Sequence, residues 1–237
     1  MNGLLIVNAD DWGGFRAGTD AIERCFEAGA ITSATAMMWM ADSERAAELA
    51  VGVGRPIGLH LNLTQPFDGP DVPATVAERQ RRLCAHFSDL RIRRWTIDPR
   101  PATRRLVRDA VADQIGEFHR LYGGAPTHID GHHHAHVSPD VLVALPRGVK
   151  IRQTLSGTAP HVRAKSAWIS RRFVTTDRFR YFEDLTGPAD LAESRQYPVE
   201  VMCHPSFEHE LPQLLRDDWI EGVKNSPHGT YRDLSRA

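Results

Sequence analysis

The sequence predicts an α/β fold, a mostly parallel sheet with helices outside it, arranged as a (β/α) barrel. Three observations predict it. Short apolar runs alternate with segments of helical spacing along the chain, the pattern of repeated strand–helix units. Asp10, Asp11, His60, His132 and His204 each lie at or just past the end of a strand-like run, and barrel strands carry the residues at their C-terminal ends to one mouth. No GxGxxG follows the first apolar run, so the open doubly wound sheet lacks its usual mark.

Leu4–Asn8 reads as a buried strand that delivers two adjacent carboxylates into the turn Gly13-Gly14. Ala17–Ala28 has Ile22, Cys25 and Phe26 at helical spacing, and Gly29 is placed to stop it. Ile31–Met38 is apolar and β-branched, a second strand. Asp42 or Ser43 is placed to cap an alanine-rich helix through Leu49. Pro56–Leu61 is the next strand and ends on His60. Residues 65–100 carry prolines and many arginines with weak periodicity. They predict a loop-rich excursion over the mouth, with a short helix near Val76–His86. Its Phe67, His86 and Trp95 are placed either to face a ligand or to pack the excursion onto the body.

Pro101–Tyr122 is a long amphipathic helix that ends at Gly123-Gly124. Thr127–Asp130 is short and extended, and Ser138-Pro139 opens a helix near Val141. Val149–Arg152 and Val199–Cys203 are further strand candidates, and His209–Val223 reads as a last helix. With 237 residues, no internal repeat and no low-complexity linker, the chain is expected to be one domain over residues 1–237.

A net charge of −1 gives no electrostatic footprint for nucleic acid or an anionic membrane. No apolar run reaches spanning length, and no basic region followed by a signal-length apolar stretch opens the chain. Cys25, Cys84 and Cys203 are scattered without a CxxC, which predicts reduced thiols and a cytoplasmic home. The sequence leaves room for a homodimer.

Buried carboxylates are costly unless they are paired or bind a metal. In extended backbone Asp10 and Asp11 point to opposite faces, so they are expected to divide two jobs, one holding a metal and the other handling a proton. The alternative is that one of them caps the helix starting near Phe15. The internal run Thr127-His128-Ile129-Asp130-Gly131-His132-His133-His134-Ala135-His136 places His128, Asp130, His132, His134 and His136 on one face if it stays extended. Such a face suits a first-row divalent metal. A solvated histidine loop is the plainer alternative.

Asn8-Ala9-Asp10-Asp11-Trp12-Gly13, Gly58-Leu59-His60-Leu61, the histidine run and Glu200-Val201-Met202-Cys203-His204-Pro205 together resemble the YdjC-like carbohydrate deacetylases, in the same order from Leu4 to about Trp219. The resemblance implies a deformed (β/α) barrel of the polysaccharide-deacetylase superfamily. It implies one divalent metal and hydrolysis of an N-acetyl group from an amino sugar, so the expected partner is an N-acetylated sugar. By the same resemblance Asp11, His60 and His132 would hold the metal and Asp10 would be the base. Arg152 would orient Asp10, and His204 would be a general acid; Glu200, four residues before it, is expected as its neighbouring carboxylate. The plainer alternatives are a surface arginine for Arg152 and a packing histidine for His204.

Asp130 is expected to hold a histidine tautomer beside the metal, and His134 is the substitute candidate for the acid. Imidazole ligands favour zinc, and magnesium is the second choice. Trp12 and Gly131 stand where Phe and Ser are more usual, and Gln153-Thr154 lacks the proline often found there. These last two residues and the excursion leave the sugar open. The competing functions are a phosphoesterase or other amidohydrolase, with arginines between Arg79 and Arg105 as phosphate clamps, and a catalytically silent metal- or sugar-binding protein.

Overall fold

The computed structural model describes residues 3–155 and 157–235. In chain order the elements are β1 (Leu4–Trp12), α1 (Arg16–Ala28), β2 (Ser33–Ala36), α2 (Ser43–Val53), β3 (Ile57–Leu61), α3 (Ala74–His86), α4 (Leu90–Arg93) and α5 (Pro101–Tyr122). Then follow β4 (Ile129–Gly131), α6 (Pro139–Ala144), α7 (Pro160–Arg172), β5 (Arg178–Tyr181), β6 (Pro198–Cys203), α8 (Leu211–Leu214) and α9 (Asp217–Lys224). The six strands form one sheet in the order β4-β3-β2-β1-β6-β5, and every neighbouring pair is parallel. Isolated bridges Ile129↔Ile151 and Lys150↔Val174 extend the pairing beyond β4. The result is a deformed (β/α) barrel, as expected.

Side-chain alternation sorts the sheet into two environments. Leu5, Val7 and Ala9 of β1 join the main apolar core with Ile22, Cys25 and Phe26 of α1. Ile6 instead packs with Tyr231 and Leu234. On its side of β1 follow Asn8 and Asp10, which meet Thr35 of β2. The concave side of the sheet is therefore polar toward the strand ends, and the convex side is apolar under the helices. Gly29 and Gly123 end α1 and α5 in the left-handed region, as the sequence predicts.

Several expected boundaries move. β1 runs on to Trp12 through a register shift after Ala9, with Asp11 at φ 68°. Ile31–Met38 shortens to β2, and Val149–Arg152 forms only bridges. His209–Val223 is two helices, because the chain turns at Leu215 and restarts with Asp217 and Asp218 in the first turn of α9. α2 starts where expected, yet neither expected side chain caps it. Asp42 is held by Arg45, and the Ser43 hydroxyl donates to the Met37 carbonyl. α7 and β5 had no counterpart in the sequence pattern. α7 buries only Ile169, and β5 is a four-residue edge strand. No helix among the described residues is long and apolar enough to cross a membrane.

Candidate active site

The ends of β1, β3 and β4 bring Asp11, His60 and His132 together. Asp11 Oδ1 lies 3.2 Å from His60 Nε2 and 3.3 Å from His132 Nδ1. The left-handed backbone at Asp11 allows this. It breaks the strand alternation, so Asp10 and Asp11 both reach the site by different routes. That conformation is uncommon for a non-glycine residue and is typically kept where function over-determines it. The capping alternative does not hold. Phe15 is the N-cap of α1, and no side chain caps it.

The three residues fit a divalent ion. Ligand atoms about 2.0–2.1 Å from zinc at tetrahedral angles stand about 3.3 Å apart, which matches the two distances above. Asp11 Oδ1 is buried and has no hydrogen-bond partner, as expected of an atom placed for a cation. Burial raises the Asp11 carboxyl, but His132 and His60 outweigh it and hold it well below the carboxylate range. Burial lowers His60, yet Asp130, Asp10 and Asp11 drive it well above the usual imidazole value.

Behind the triad lies a second layer of charge. The His60 Nδ1–H donates to Asp130 Oδ1 at 2.8 Å, which turns Nε2 toward Asp11. Thr35 Oγ1 donates to Asp130 Oδ2 at 3.0 Å. Arg152 is fully buried, not a surface arginine. It donates through Nη1 and Nη2 to the two oxygens of Asp10 at 2.7 and 2.6 Å, and through Nε to Glu200 at 2.8 Å. Its Nη2 is also 2.8 Å from Asp130. Asn8 donates to Asp10 Oδ1 at 3.0 Å.

His204 follows β6 and is partly buried, with Nε2 4.0 Å from Asp10 Oδ2 and its ring stacked on Phe207. Its neighbouring carboxylate is Glu210, not Glu200. Glu210 accepts the His204 backbone N–H at 2.7 Å and lies 3.9 Å from Nδ1. Burial lowers His204, and Glu210, Asp10 and Asp11 together raise it above the usual value.

The histidine run does not present one face. β4 stops at Gly131, and residues 132–137 coil into 3-10 turns with His133 and His134 in the left-handed region. His133 Nδ1 pairs with Thr64 Oγ1. His134 Nε2 pairs with Tyr181 at 3.0 Å, and His136 with the Arg152 carbonyl at 3.0 Å. His128 stacks on Tyr231 with centroids 3.7 Å apart. Burial pushes His128, His134 and His136 down to about 3, 2 and 4, so all three are neutral. His134 still lines the cleft, but it shares no strand face with His132.

Asp10, Asp11, His60, His132 and His204 open into a cleft of about 700 Å³, whose walls include Leu90, Arg94, Tyr181 and Phe207, a volume in the range of small-molecule sites. Of the excursion, Leu90 and Arg94 reach it. Phe67 packs on Trp39, Trp95 on His161, and His86 sits between Asp98 and Asp140. Thr35 and Glu210 escaped the sequence reading as site partners, and Glu200 pairs with Arg152 and Tyr231 rather than with His204. A glutamate inside the apolar run Val199-Glu200-Val201 was the available signal.

A sequence model of the YdjC-like protein family matches residues 4–229. The chain is 30% identical over 224 residues to a chitooligosaccharide deacetylase of Yersinia pestis (strain Pestoides F), covering 87% of this chain and 83% of that one. Identity is also 30%, over 221 residues, to a chitooligosaccharide deacetylase of Yersinia enterocolitica serotype O:8 / biotype 1B, with the same coverage. Among solved structures, an Enterococcus faecalis V583 protein provisionally named for cellobiose-phosphate cleavage superposes with a TM-score of 0.71 at 19% identity, covering 98% of each chain. The Xyl-CE4 domain of a multidomain xylanase from the hindgut metagenome of Trinervitermes trinervoides superposes with a TM-score of 0.51 at 10% identity, over 97% of this chain and 87% of that one.

Proposed function

The chain belongs to the YdjC-like protein family, and from that premise we propose that it is a metal-dependent carbohydrate deacetylase. It acts as one catalytic domain on an N-acetylated amino sugar or short oligosaccharide and releases acetate. The observation that carries this reading is a base candidate, Asp10, held by Arg152 directly beside the Asp11–His60–His132 triad. Three donors from two imidazoles and one carboxylate leave positions open, the layout of a catalytic metal. The chitooligosaccharide deacetylases named above support the amide and sugar part of the reading.

Asp11, His60 and His132 would hold the ion, with zinc favoured by the imidazoles and magnesium the second choice. A divalent ion there supplies Lewis acidity toward the acetamide carbonyl and makes water more acidic. Asp130 keeps His60 in the tautomer that offers Nε2. Asp10 takes the proton from the attacking water, with its carboxylate plane set by the Arg152 fork. His204, with Nε2 4.0 Å from Asp10 Oδ2 and raised by Glu210, gives a proton to the departing amine.

A phosphoesterase would need basic clamps in the cleft. Arg94 lines it, but Arg79, Arg81, Arg100 and Arg105 are engaged by Asp113, Glu78, Asp98 and Asp109. The direct test is acetate release from a panel of N-acetylated mono- and disaccharides, run beside an activated phosphodiester. Acetate release without phosphodiester cleavage is expected. The reverse pattern would replace this reading with the phosphoesterase.

The acid role has its own signature. His204→Ala should slow an N-acetyl sugar far more than the acetyl ester of an activated phenol, whose leaving group departs without a proton. Equal losses would make His204 a packing residue. The acid form must be protonated, so rate falls as pH rises through its pKa. Glu210 raises that pKa, and Glu210→Gln should therefore move the alkaline limb of the rate profile to lower pH. An unmoved limb would remove this histidine from it.

A further inference from the structure

Behind the base the hydrogen-bond chain continues past Arg152. Glu200 receives Arg152 Nε on Oε1 and the Tyr231 hydroxyl on Oε2. Arg152, Glu200 and Tyr231 are all fully buried, so no water competes for these bonds. The Tyr231 ring is itself fixed. It stacks on His128 at an interplanar angle of 9° and packs on Ile6 and Leu234.

Its backbone is tied to the sheet. The Tyr231 carbonyl accepts from Lys150 Nζ, and Gly229 N donates to the Leu5 carbonyl at 2.9 Å. Tyr231 lies beyond residues 4–229, the stretch that matches the family.

We propose that Tyr231 is a positioning residue for the base, acting through Glu200 and Arg152 on Asp10. The inference rests on the deacetylase reading above. The physical reason is the shape of the guanidinium. It is planar and rigid, so its Nε edge and its Nη edge turn together. Glu200 holds the Nε edge, and the Nη edge grips both oxygens of Asp10. The hydroxyl bond thus fixes the Glu200 carboxylate, that carboxylate together with Asp130 on Nη2 fixes the guanidinium plane, and the plane fixes the direction of the Asp10 lone pairs. Small misplacements of a catalytic group are expensive in rate. No proton moves along the chain; its role is orientation.

Tyr231→Phe removes the hydroxyl and keeps the stacked ring. With metal content and melting temperature checked, kcat should fall roughly tenfold, the lower end of what losing an outer partner costs, with KM little changed. Repeated in an Asp10→Asn background, the same substitution should cost nothing further, because the group it positions is no longer a base. A merely structural role would lower both backgrounds by the same factor, and that result would overturn the proposal.

A second readout needs no substrate. In the wild-type protein the two Arg152 Nη groups, held by separate carboxylate oxygens, should give distinct, slowly averaging guanidinium signals by NMR. Tyr231→Phe should average them. Distinct signals that persist unchanged in the variant would also overturn the proposal. A wild type that releases no acetate from any sugar would sink the deacetylase reading, and the guanidinium signals would still decide whether Tyr231 sets the Arg152 plane.

Discussion

Asp10→Asn is expected to lower turnover by roughly 10²–10⁴-fold, the range that loss of a positioned base produces, while the protein stays folded and keeps its metal. The amide has nearly the shape of the carboxylate. One oxygen can still accept from Arg152 Nη2 and from Asn8, as Asp10 Oδ1 does. The new NH₂ would face Arg152 Nη1, where Asp10 Oδ2 now accepts. Donor would meet donor there, and the expected stability cost is about 1–3 kcal/mol. Asp11, His60 and His132 do not depend on that contact. Acetate release and metal content measured on the same preparation separate the two effects. Near-wild-type turnover by a metal-loaded Asp10→Asn protein would remove Asp10 from the mechanism.

Arg152→Met is expected to have the largest effect on stability. Arg152 is one cation facing the buried carboxyl groups of Asp10, Asp130 and Glu200, of which burial pushes Glu200 up to about 7. Removing one partner of a buried ion pair typically costs about 3–5 kcal/mol, because the other charges remain without compensation. The loss should depend on pH in a stated direction. Burial alone pushes Asp130 up, and Arg152 with His60 outweighs it and depresses it. A depressed carboxyl contributes stability that is present above its unfolded value and lost as pH falls. Without Arg152 that contribution shrinks at neutral pH. The gap between wild type and variant should therefore be widest near neutrality and narrow under acid. Denaturant melts at pH 7 and at about pH 2, below the unfolded carboxyl value of about 3.9, check this, and a gap that is small or constant in pH would contradict the buried-charge picture.

How much of this was legible in the sequence follows from how far each signal reaches along the chain. The strand ends were legible because apolar runs ending in Asp10, His60 and His204 are local patterns. α1 and α5 were legible because a glycine in the left-handed region ends each of them. The histidine run misled because alternation holds only in extended backbone, and the chain coils directly after Gly131. α7 was missed because it buries one residue, Ile169, and an exposed helix has no apolar stripe to read. The Arg152 network spans Asp10 to Tyr231, and such long-range pairing leaves no periodic trace. Glu200 was visible as a charge in an apolar run, but sequence distance assigned it to His204, four residues on, while folding gave it to Arg152 and Tyr231.

The central claim is that one divalent ion at Asp11, His60 and His132 runs the reaction. The most direct measurement is zinc titration of chelator-stripped protein, with acetate release from an N-acetylated sugar as the readout. For the wild type, rate should be absent in the stripped protein and rise to its plateau at one equivalent of zinc. His133→Ala, whose ring pairs with Thr64 outside the triad, should follow the same course. His132→Ala should stay inactive at one equivalent, since outright loss of one of three donors removes stoichiometric binding. Full activity in the stripped protein, or identical titrations for His132→Ala and His133→Ala, would contradict the claim.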